Sequence, residues 1–179
     1  MHVMISPQQH PMEALYQKCP VSKGEIRVLT VRTAPRSSPA QHSLRGHFQI
    51  LRFGEQVPVY TAISYSWGHA TPARTTAADQ KMEVQFPGGH VETESRSVSL
   101  PLSQTLTDLF HSLLRGHASA TVWVDAICIN QHDKIEKGFQ VDQMGDVYSR
   151  ADQVLVWLGT STPASAAAFR FMQSKRNIP

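Results

Sequence analysis

The sequence predicts an α/β domain with a mainly parallel central sheet flanked by helices. Three apolar segments have the pattern of buried strands: "VYTAISYSW" (59–67), "ATVWVDAICI" (120–129) and "QVLVWLG" (153–159). Helical patterns alternate with the last two, and this alternation is typical of a parallel sheet covered on both faces. The 179 residues suffice for one hydrophobic core and favour one core over two.

Two further strands are predicted before the central segments. "EIRVLTVR" (25–32) and "HFQILRF" (47–53) each alternate between polar and apolar residues, which indicates half-buried strands. The Pro/Ser-rich stretch between them has the composition of a loop. We therefore expect an antiparallel N-terminal pair near one edge of the sheet. Residues 1–24 are expected to form a loose arm with one amphipathic piece, and residues 25–179 a single domain.

A hairpin insert is predicted between the first buried strand and the first long helix. "KMEVQF" and "VETESRSVSL" flank the turn "PGGH", and glycine supplies the positive φ that tight hairpin turns require. The insert adds a second antiparallel pair to a sheet that is otherwise expected to be parallel.

Three helices follow from the spacing of apolar residues. "PLSQTLTDLFHSLLRG" carries its leucines on one face, with Pro101 near its start and Gly116 near its end. "QHDKIEKGFQVDQMGDVYSRA" shows the same spacing, although Gly138 and Gly145 each weaken a helix by about 1 kcal/mol relative to alanine. "TPASAAAFRFMQSK" is the last predicted helix.

The composition argues against several classes of protein. No run of about 20 apolar residues could span a membrane, and the N-terminus lacks the apolar region of a secretory signal. Cys19 and Cys128 are too few for a disulfide framework, which fits a cytoplasmic protein, and Cys128 is expected to be a buried thiol. The basic residues behind the net charge of +3 are scattered, unlike a nucleic-acid-binding footprint. No metal-ligand spacing or nucleotide-binding motif is present, so we expect neither a metal nor a cofactor.

Polar and aromatic residues gather where the three central strands are predicted to end. Ligands of open α/β sheets bind outside the carboxyl ends of the strands. Asp125 is the least expected of these residues, because a carboxylate within a strand is costly to bury unless it is paired or hydrogen-bonded. The resulting candidate rim consists of Tyr65, Ser66, Trp67, Gly68, Asp125, Asn130, Gln131 and Trp157.

Several polar and aromatic residues of this region also have a purely structural explanation. Trp67 and Trp157 fit ordinary packing, and Asn130 fits the cap of the following helix. Asp133 suits the positive end of that helix, and Glu136 fits an ordinary surface acid. The sequence leaves both explanations open.

Three segments, in this order along the chain, resemble the fungal heterokaryon-incompatibility (HET) domain. They are "YTAISYSWG", the helix "LPLSQTLTDLFHSLL" and the long stretch "VWVDAICINQHDKIEKGFQVDQMGDVYSRADQVLVWLG". The resemblance covers about residues 59–159. Its departures are Val124 for the usual Ile, Val147 before Tyr148, and Lys137 where Arg is usual. Because Lys cannot replace a bidentate Arg, the last departure puts an anion-binding role at that position in doubt.

The resemblance implies a cytoplasmic protein of fungal self/non-self recognition whose activation triggers cell death. HET domains are also distantly similar to Toll/interleukin-receptor (TIR) domains, which implies a TIR- or flavodoxin-like arrangement. Some TIR-like domains cleave NAD at the nicotinamide glycosidic bond with a glutamate on a helix after a core strand. By that resemblance NAD is a candidate substrate and Glu136 the first candidate for the catalytic acid. Asp125 and Asp133 are the alternatives.

A non-catalytic function remains open beside this enzymatic one. In that case the domain would assemble with copies of itself or with a signalling partner, and the assembly would trigger death. Its expected mark is an exposed apolar patch together with rim acids engaged in internal hydrogen bonds. DNA or RNA binding is the third and weakest alternative.

Overall fold

A computed structural model of the chain describes residues 11–35, 42–55, 59–66, 81–86 and 97–175. The helices in these ranges are α1 (Pro11–Lys18), α2 (Gln104–Leu113), α3 (Asp125–Cys128), α4 (Lys134–Asp142), α5 (Met144–Arg150) and α6 (Pro163–Lys175). The strands are β1 (Glu25–Pro35), β2 (His42–Arg52), β3 (Thr61–Tyr65), β4 (Lys81–Gln85), β5 (Ser97–Pro101), β6 (Ser119–Val124) and β7 (Gln153–Trp157).

The described strands form one mixed sheet in the order β5-β4-β2-β1-β6-β3-β7. The pairs β2–β4, β6–β3 and β3–β7 are parallel, whereas β1–β2, β1–β6 and β4–β5 are antiparallel. The α/β class, the antiparallel N-terminal pair and the antiparallel pairing of β4 with β5 are therefore confirmed, while the predicted turn "PGGH" and residues 91–96 lie outside the described residues. The expectation of a mainly parallel sheet is wrong, and a TIR- or flavodoxin-like arrangement is not confirmed.

The position of β1 explains why the sheet is mixed. β1 lies in the middle of the sheet, between β2 and β6, and not near an edge as its alternating sequence suggested. Ile26, Val28, Leu29 and Val31 are all buried, so both faces of this strand contribute to the core. Arg27 is also buried, although it is one of the polar residues that gave this central strand the alternating pattern of a half-exposed one.

β7 is an edge strand, which corrects the expectation of a third buried strand. Among the described strands it pairs only with β3, on one side. Val156 is 61% exposed, and Val154 and Leu158 are exposed as well. Apolar letters alone cannot distinguish a central strand from an edge strand whose outer face is uncovered.

β6, the second of the three strands that were predicted to be buried, ends earlier than predicted. The chain leaves the strand at Val124, and Asp125–Cys128 form the short helix α3. The Asp125 carboxylate accepts the Ala126 N–H at 2.7 Å, and its backbone carbonyl accepts the Ile129 N–H at 3.2 Å. Asp125 thus turns the backbone out of the sheet instead of lying within it.

The long helix predicted after this turn is two helices, α4 and α5, that meet at Gln143. The Gln143 side chain is buried and donates to the Glu25 carbonyl at 2.8 Å, while its own oxygen accepts the Gly24 N–H at 3.1 Å. Gln140, one turn earlier, donates to the same carbonyl at 2.7 Å. These amides tie the α4–α5 junction to the start of β1, which explains the break.

Part of the predicted N-terminal arm packs against the core as α1. Leu15, Tyr16 and Cys19 are buried, and the Tyr16 hydroxyl donates to the Ile127 carbonyl at 3.1 Å. The helix therefore supports α3 and the turn that follows it. The division of the chain into arm and domain stays a prediction. None of the helices in the described ranges combines the length and apolar character needed to cross a membrane.

Gly46 provides a test of core packing in β2. A Cβ at this position would lie 2.8 Å from the Leu29 side chain and 3.2 Å from the Met82 sulfur. We expect Gly46→Ala to lower the free energy of unfolding by about 1–3 kcal/mol, because crowding a packed core forces its side chains apart. Gly138→Ala on α4 meets nothing within 4 Å and should stabilise by about 0.5–1 kcal/mol. Urea unfolding of both variants checks this, and equal stabilities would contradict the described packing.

Candidate functional site

The carboxyl ends of β6, β3 and β7 lie at the same edge of the sheet because these three strands are parallel. Tyr65, the last residue of β3, pairs in register with Trp157, the last residue of β7. On the other side, Ile63 pairs with Val124, and Asp125 follows at once. The topology thus brings one carboxylate and two aromatic side chains of the candidate rim to one edge.

Asp125 acts electrostatically on two phenols. Burial first, and the negative charge of Asp125 second, raise the pKa of Tyr65 to about 12. The same two causes raise the pKa of Tyr148 on α5, while a hydrogen bond from Ser64 opposes them. Both phenols are therefore protonated at neutral pH and can act as hydrogen-bond donors beside a carboxylate.

The raised pKa of Tyr65 has a measurable consequence in alkaline solution. Below pH 10 the phenol is protonated in the folded and the unfolded chain alike. Between pH 10 and about 12 the unfolded chain releases this proton while the folded chain retains it, so the stabilising contribution of Tyr65 is lost as pH rises through this window. We expect phenolate absorbance to show a tyrosine titrating near pH 12, and Asp125→Asn to lower that pKa while leaving it above 10. A Tyr65 that titrates at 10 would contradict the burial.

The turn after α3 is held to Asp125 by a side chain. The Gln131 amide donates to the Asp125 carbonyl at 3.0 Å. Asn130 uses its side-chain oxygen within the turn, where it accepts the His132 N–H at 3.2 Å. Both side-chain amides thus form hydrogen bonds with backbone groups of α3 and of the turn that follows it.

Glu136 is buried, and its carboxylate is paired with Arg27. The Arg27 guanidinium donates to both carboxylate oxygens, at 2.5 and 2.9 Å. The Asn130 N–H donates to the same carboxylate at 2.7 Å. Glu136 is 7% exposed and Arg27 is fully buried. Glu136 accepts three hydrogen bonds and is almost fully buried. These contacts are typical of a carboxylate that stabilises the fold.

The Arg27 side chain also contacts three residues other than Glu136. Its Nε donates to the Cys19 carbonyl at 2.5 Å, and one terminal nitrogen also donates to the Cys128 carbonyl at 3.1 Å. The guanidinium lies 4.8 Å from the centre of the Tyr16 ring, within cation–π range. Arg27 therefore connects α1, α3 and α4 from its position on β1.

Asp133 caps α4. Its carboxylate accepts the Ile135 N–H at 2.8 Å and the Glu136 N–H at 3.1 Å. These bonds satisfy two of the N–H groups that every helix start leaves open. The contacts of Asp133 thus fit the structural explanation, in which this residue lies at the start of the helix.

The predicted site residues fall into two groups in space. Asn130, Asp133 and Glu136 line a cavity of about 500 Å³ between α1 and α4, together with Tyr16 and Phe139. The residues at the strand ends do not line this cavity; they are Tyr65, Asp125 and Trp157. The single rim expected from sequence is thus divided, and the three candidate acids do not share one cleft.

The remaining rim residues are partly described. Ser66 is exposed beyond the end of β3, while Trp67 and Gly68 lie outside the described residues. Trp157 is half-buried, and its indole nitrogen is shielded from solvent with no hydrogen-bond partner among the described residues. Within the described ranges, no group of three or more His, Cys, Asp or Glu is placed to hold a metal ion.

Two residues of this region were not expected from sequence. Arg27 was counted among the scattered basic residues, although an arginine flanked by Ile26 and Val28 is a signal of a buried ion pair. Tyr148 was assigned only to a helical face, and its contact with Trp123, at a ring-centre distance of 5.7 Å, positions it under the rim. Tyr148 carries no comparable signal in the sequence.

Comparisons with known proteins agree on one family. A family model described as "Heterokaryon incompatibility protein (HET)" matches residues 60–178. "Heterokaryon incompatibility protein 6, OR allele" of Neurospora crassa is 38% identical over 108 residues, which are 60% of this chain and 15% of that protein. No solved structure gives a significant match. Because the family model covers well over half of the chain, the chain belongs to the heterokaryon incompatibility (HET) protein family.

Proposed function

We propose that this chain is an effector domain of fungal heterokaryon incompatibility, which acts in the cytoplasm and leads to cell death. The family model and the relative from Neurospora crassa, whose name refers to heterokaryon incompatibility, support this role. The aligned region spans 15% of that relative, so the activity proposed is that of the domain.

The proposed reaction is cleavage of NAD at its nicotinamide glycosidic bond. The bond between the ribose carbon and the nicotinamide nitrogen breaks, and nicotinamide leaves as a neutral base. Water adds to the ribose carbon and its proton passes to solvent, which yields ADP-ribose. Positive charge develops on the ribose in the transition state, so a nearby carboxylate lowers the barrier.

Asp125 is the acid whose position supports this reaction best. It is half-buried at the edge where three parallel strands end, beside the protonated phenols of Tyr65 and Tyr148. Glu136, the first candidate from sequence, has both oxygens engaged by Arg27. We therefore assign the electrostatic role to Asp125 and give Glu136 the role of holding the turn.

Incubation of the purified chain with NAD tests the reaction directly. We expect equimolar release of nicotinamide and ADP-ribose, and loss of cellular NAD before death when the chain is expressed in a fungal host. Asp133→Asn is a matched control, because it removes one carboxylate that lies in the α1–α4 cavity, apart from Asp125, and asparagine also caps a helix. NAD that stays intact in both settings while the cells die would contradict the enzymatic proposal.

The exposed apolar surface of the C-terminal elements supports a second candidate function, assembly without catalysis. Val156 and Leu158 are exposed on and after the edge strand β7, and Phe169, Phe171 and Met172 are exposed on α6. Exposed apolar patches and open strand edges are typical of association surfaces. A second copy of the chain is the occupant expected under this alternative.

Replacing Val156 by Lys separates the two functions. Lysine on an edge strand blocks edge-to-edge pairing without removing core contacts, since Val156 is 61% exposed. If assembly is the function, we expect the variant to lose both self-association, seen by analytical ultracentrifugation, and toxicity. If the monomer is the enzyme, the variant cleaves NAD at the unchanged rate.

A further inference from the structure

A second cavity, of about 510 Å³, lies between α2 and the loop that joins β7 to α6. Asp108 and Ser112 line it from α2, and Arg115 lines it just beyond the helix cap at Leu114. Thr160 and Ser161 line it from the loop. Trp157 of the strand-end rim also lines this cavity, whereas Asp125, Tyr65 and the residues of the α1–α4 cavity do not.

One side of this cavity suits a phosphate group. Arg115 is exposed, and its guanidinium forms no ion pair or hydrogen bond with any residue in the described ranges. A guanidinium offers two parallel N–H donors that match phosphate oxygens. The hydroxyls of Ser112, Thr160 and Ser161 add further donors around the same space.

Asp108 disfavours the binding of a simple anion in this cavity. It also favours a ligand that carries hydrogen-bond donors. Its carboxylate accepts the Gln104 amide at 2.7 Å, and it has lone pairs for further donors. A carboxylate repels a free phosphate but accepts hydrogen bonds from sugar hydroxyls. A ligand that carries hydroxyls at one end and phosphate at the other satisfies both Asp108 and Arg115.

Trp157 supplies an apolar wall and an unsatisfied donor. Its ring lines the cavity, and its indole N–H is buried without an acceptor in the described ranges. Buried donors without partners are rare in folded proteins. A ligand oxygen in this cavity is a source of the acceptor that the described residues do not provide, reached by a small shift of the ring.

We propose that the cavity lined by Asp108, Arg115 and Trp157 binds a phosphorylated pentose. Arg115 binds the phosphate, Asp108 binds the sugar hydroxyls, and Trp157 packs against the sugar. Such a group occurs as a free sugar phosphate and as part of a nucleotide. The binding does not depend on NAD cleavage and goes beyond the function proposed for Asp125.

Titration with ribose 5-phosphate, monitored by the indole N–H resonance of Trp157, tests this site. We expect saturable binding that is at least about tenfold tighter than that of ribose or of inorganic phosphate alone, because the two ends bind together. Arg115→Gln should weaken binding about tenfold or more through loss of a charge-assisted contact. Asp108→Asn should reduce the affinity for ribose 5-phosphate to that for inorganic phosphate. A parallel titration with ADP-ribose distinguishes a nucleotide from a free sugar phosphate.

Arg170→Gln is the matched control, since Arg170 is an exposed arginine on α6 outside the cavity. It should bind ribose 5-phosphate like the unchanged chain, as should Asp125→Asn. No NAD is present, so a failure here is separate from a failure of catalysis. Equal affinity of the Arg115 and Arg170 variants, or inorganic phosphate binding as tightly as ribose 5-phosphate, overturns the proposal.

Discussion

Replacing Arg27 by methionine is expected to lower the free energy of unfolding by about 3–5 kcal/mol. The substitution leaves the Glu136 carboxylate buried without its counter-charge, and breaking one half of a buried ion pair has a cost of this size. The Cys19 and Cys128 carbonyls lose their donor at the same time. Urea unfolding followed by circular dichroism measures the change.

Two further variants identify the cause of this loss. Changing Arg27 and Glu136 together to methionine removes both charges, and we expect a smaller loss of about 1–3 kcal/mol because the Asn130 N–H still lacks its acceptor. Arg52→Met breaks a surface pair with Glu25 and should cost at most about 1 kcal/mol. A double variant less stable than Arg27→Met would contradict the role assigned to the pair.

Replacing Asp125 by asparagine is expected to lower the rate of NAD cleavage about 100-fold or more. Groups that stabilise the charge of a transition state have effects of this size when they are removed. Asparagine keeps the side-chain oxygen that accepts the Ala126 N–H, so the turn out of β6 is retained. The loss should therefore appear in kcat, with the unfolding midpoint nearly unchanged.

Tyr65→Phe complements this variant. It removes the phenolic hydroxyl beside Asp125 and keeps both the aromatic ring and the backbone pairing of residue 65 with Trp157 on β7. We expect a smaller loss than for Asp125→Asn, because a neutral donor contributes less than a charge. A Tyr65 variant that is inactive while the Asp125 variant is active would reverse the roles.

The elements that depend on local pattern could be predicted from the sequence. α2 was expected from its leucine spacing, and it begins at the cap residue Ser103 and ends before Gly116, whose φ is +79°. Asp125 was singled out because a buried carboxylate is costly, and the structure shows it bonded to the Ala126 N–H. In both cases the interactions that determine the local structure join residues that are close together in the sequence.

The features that depend on long-range pairing could not be predicted. Glu136 became the first candidate acid because nothing in its own segment indicates Arg27, which lies 109 residues earlier. β1 was expected near an edge because its sequence alternates, and its second partner, β6, comes about 90 residues later in the chain, where no local pattern indicates it. β7 was predicted to be a buried strand because it is rich in apolar residues. Its sequence does not show whether another strand or helix covers these residues.

The division of roles between the two acids is the centre of this account, and NAD cleavage by two variants tests it most directly. The Asp125→Asn chain is compared with the chain in which Arg27 and Glu136 are both methionine, each at a temperature where circular dichroism shows it folded. We predict that the Asp125 variant releases nicotinamide at least about 100 times more slowly than the unchanged chain, while the double variant retains most of the rate. An active Asp125 variant beside an inactive, folded double variant would contradict the account and return the catalytic role to Glu136.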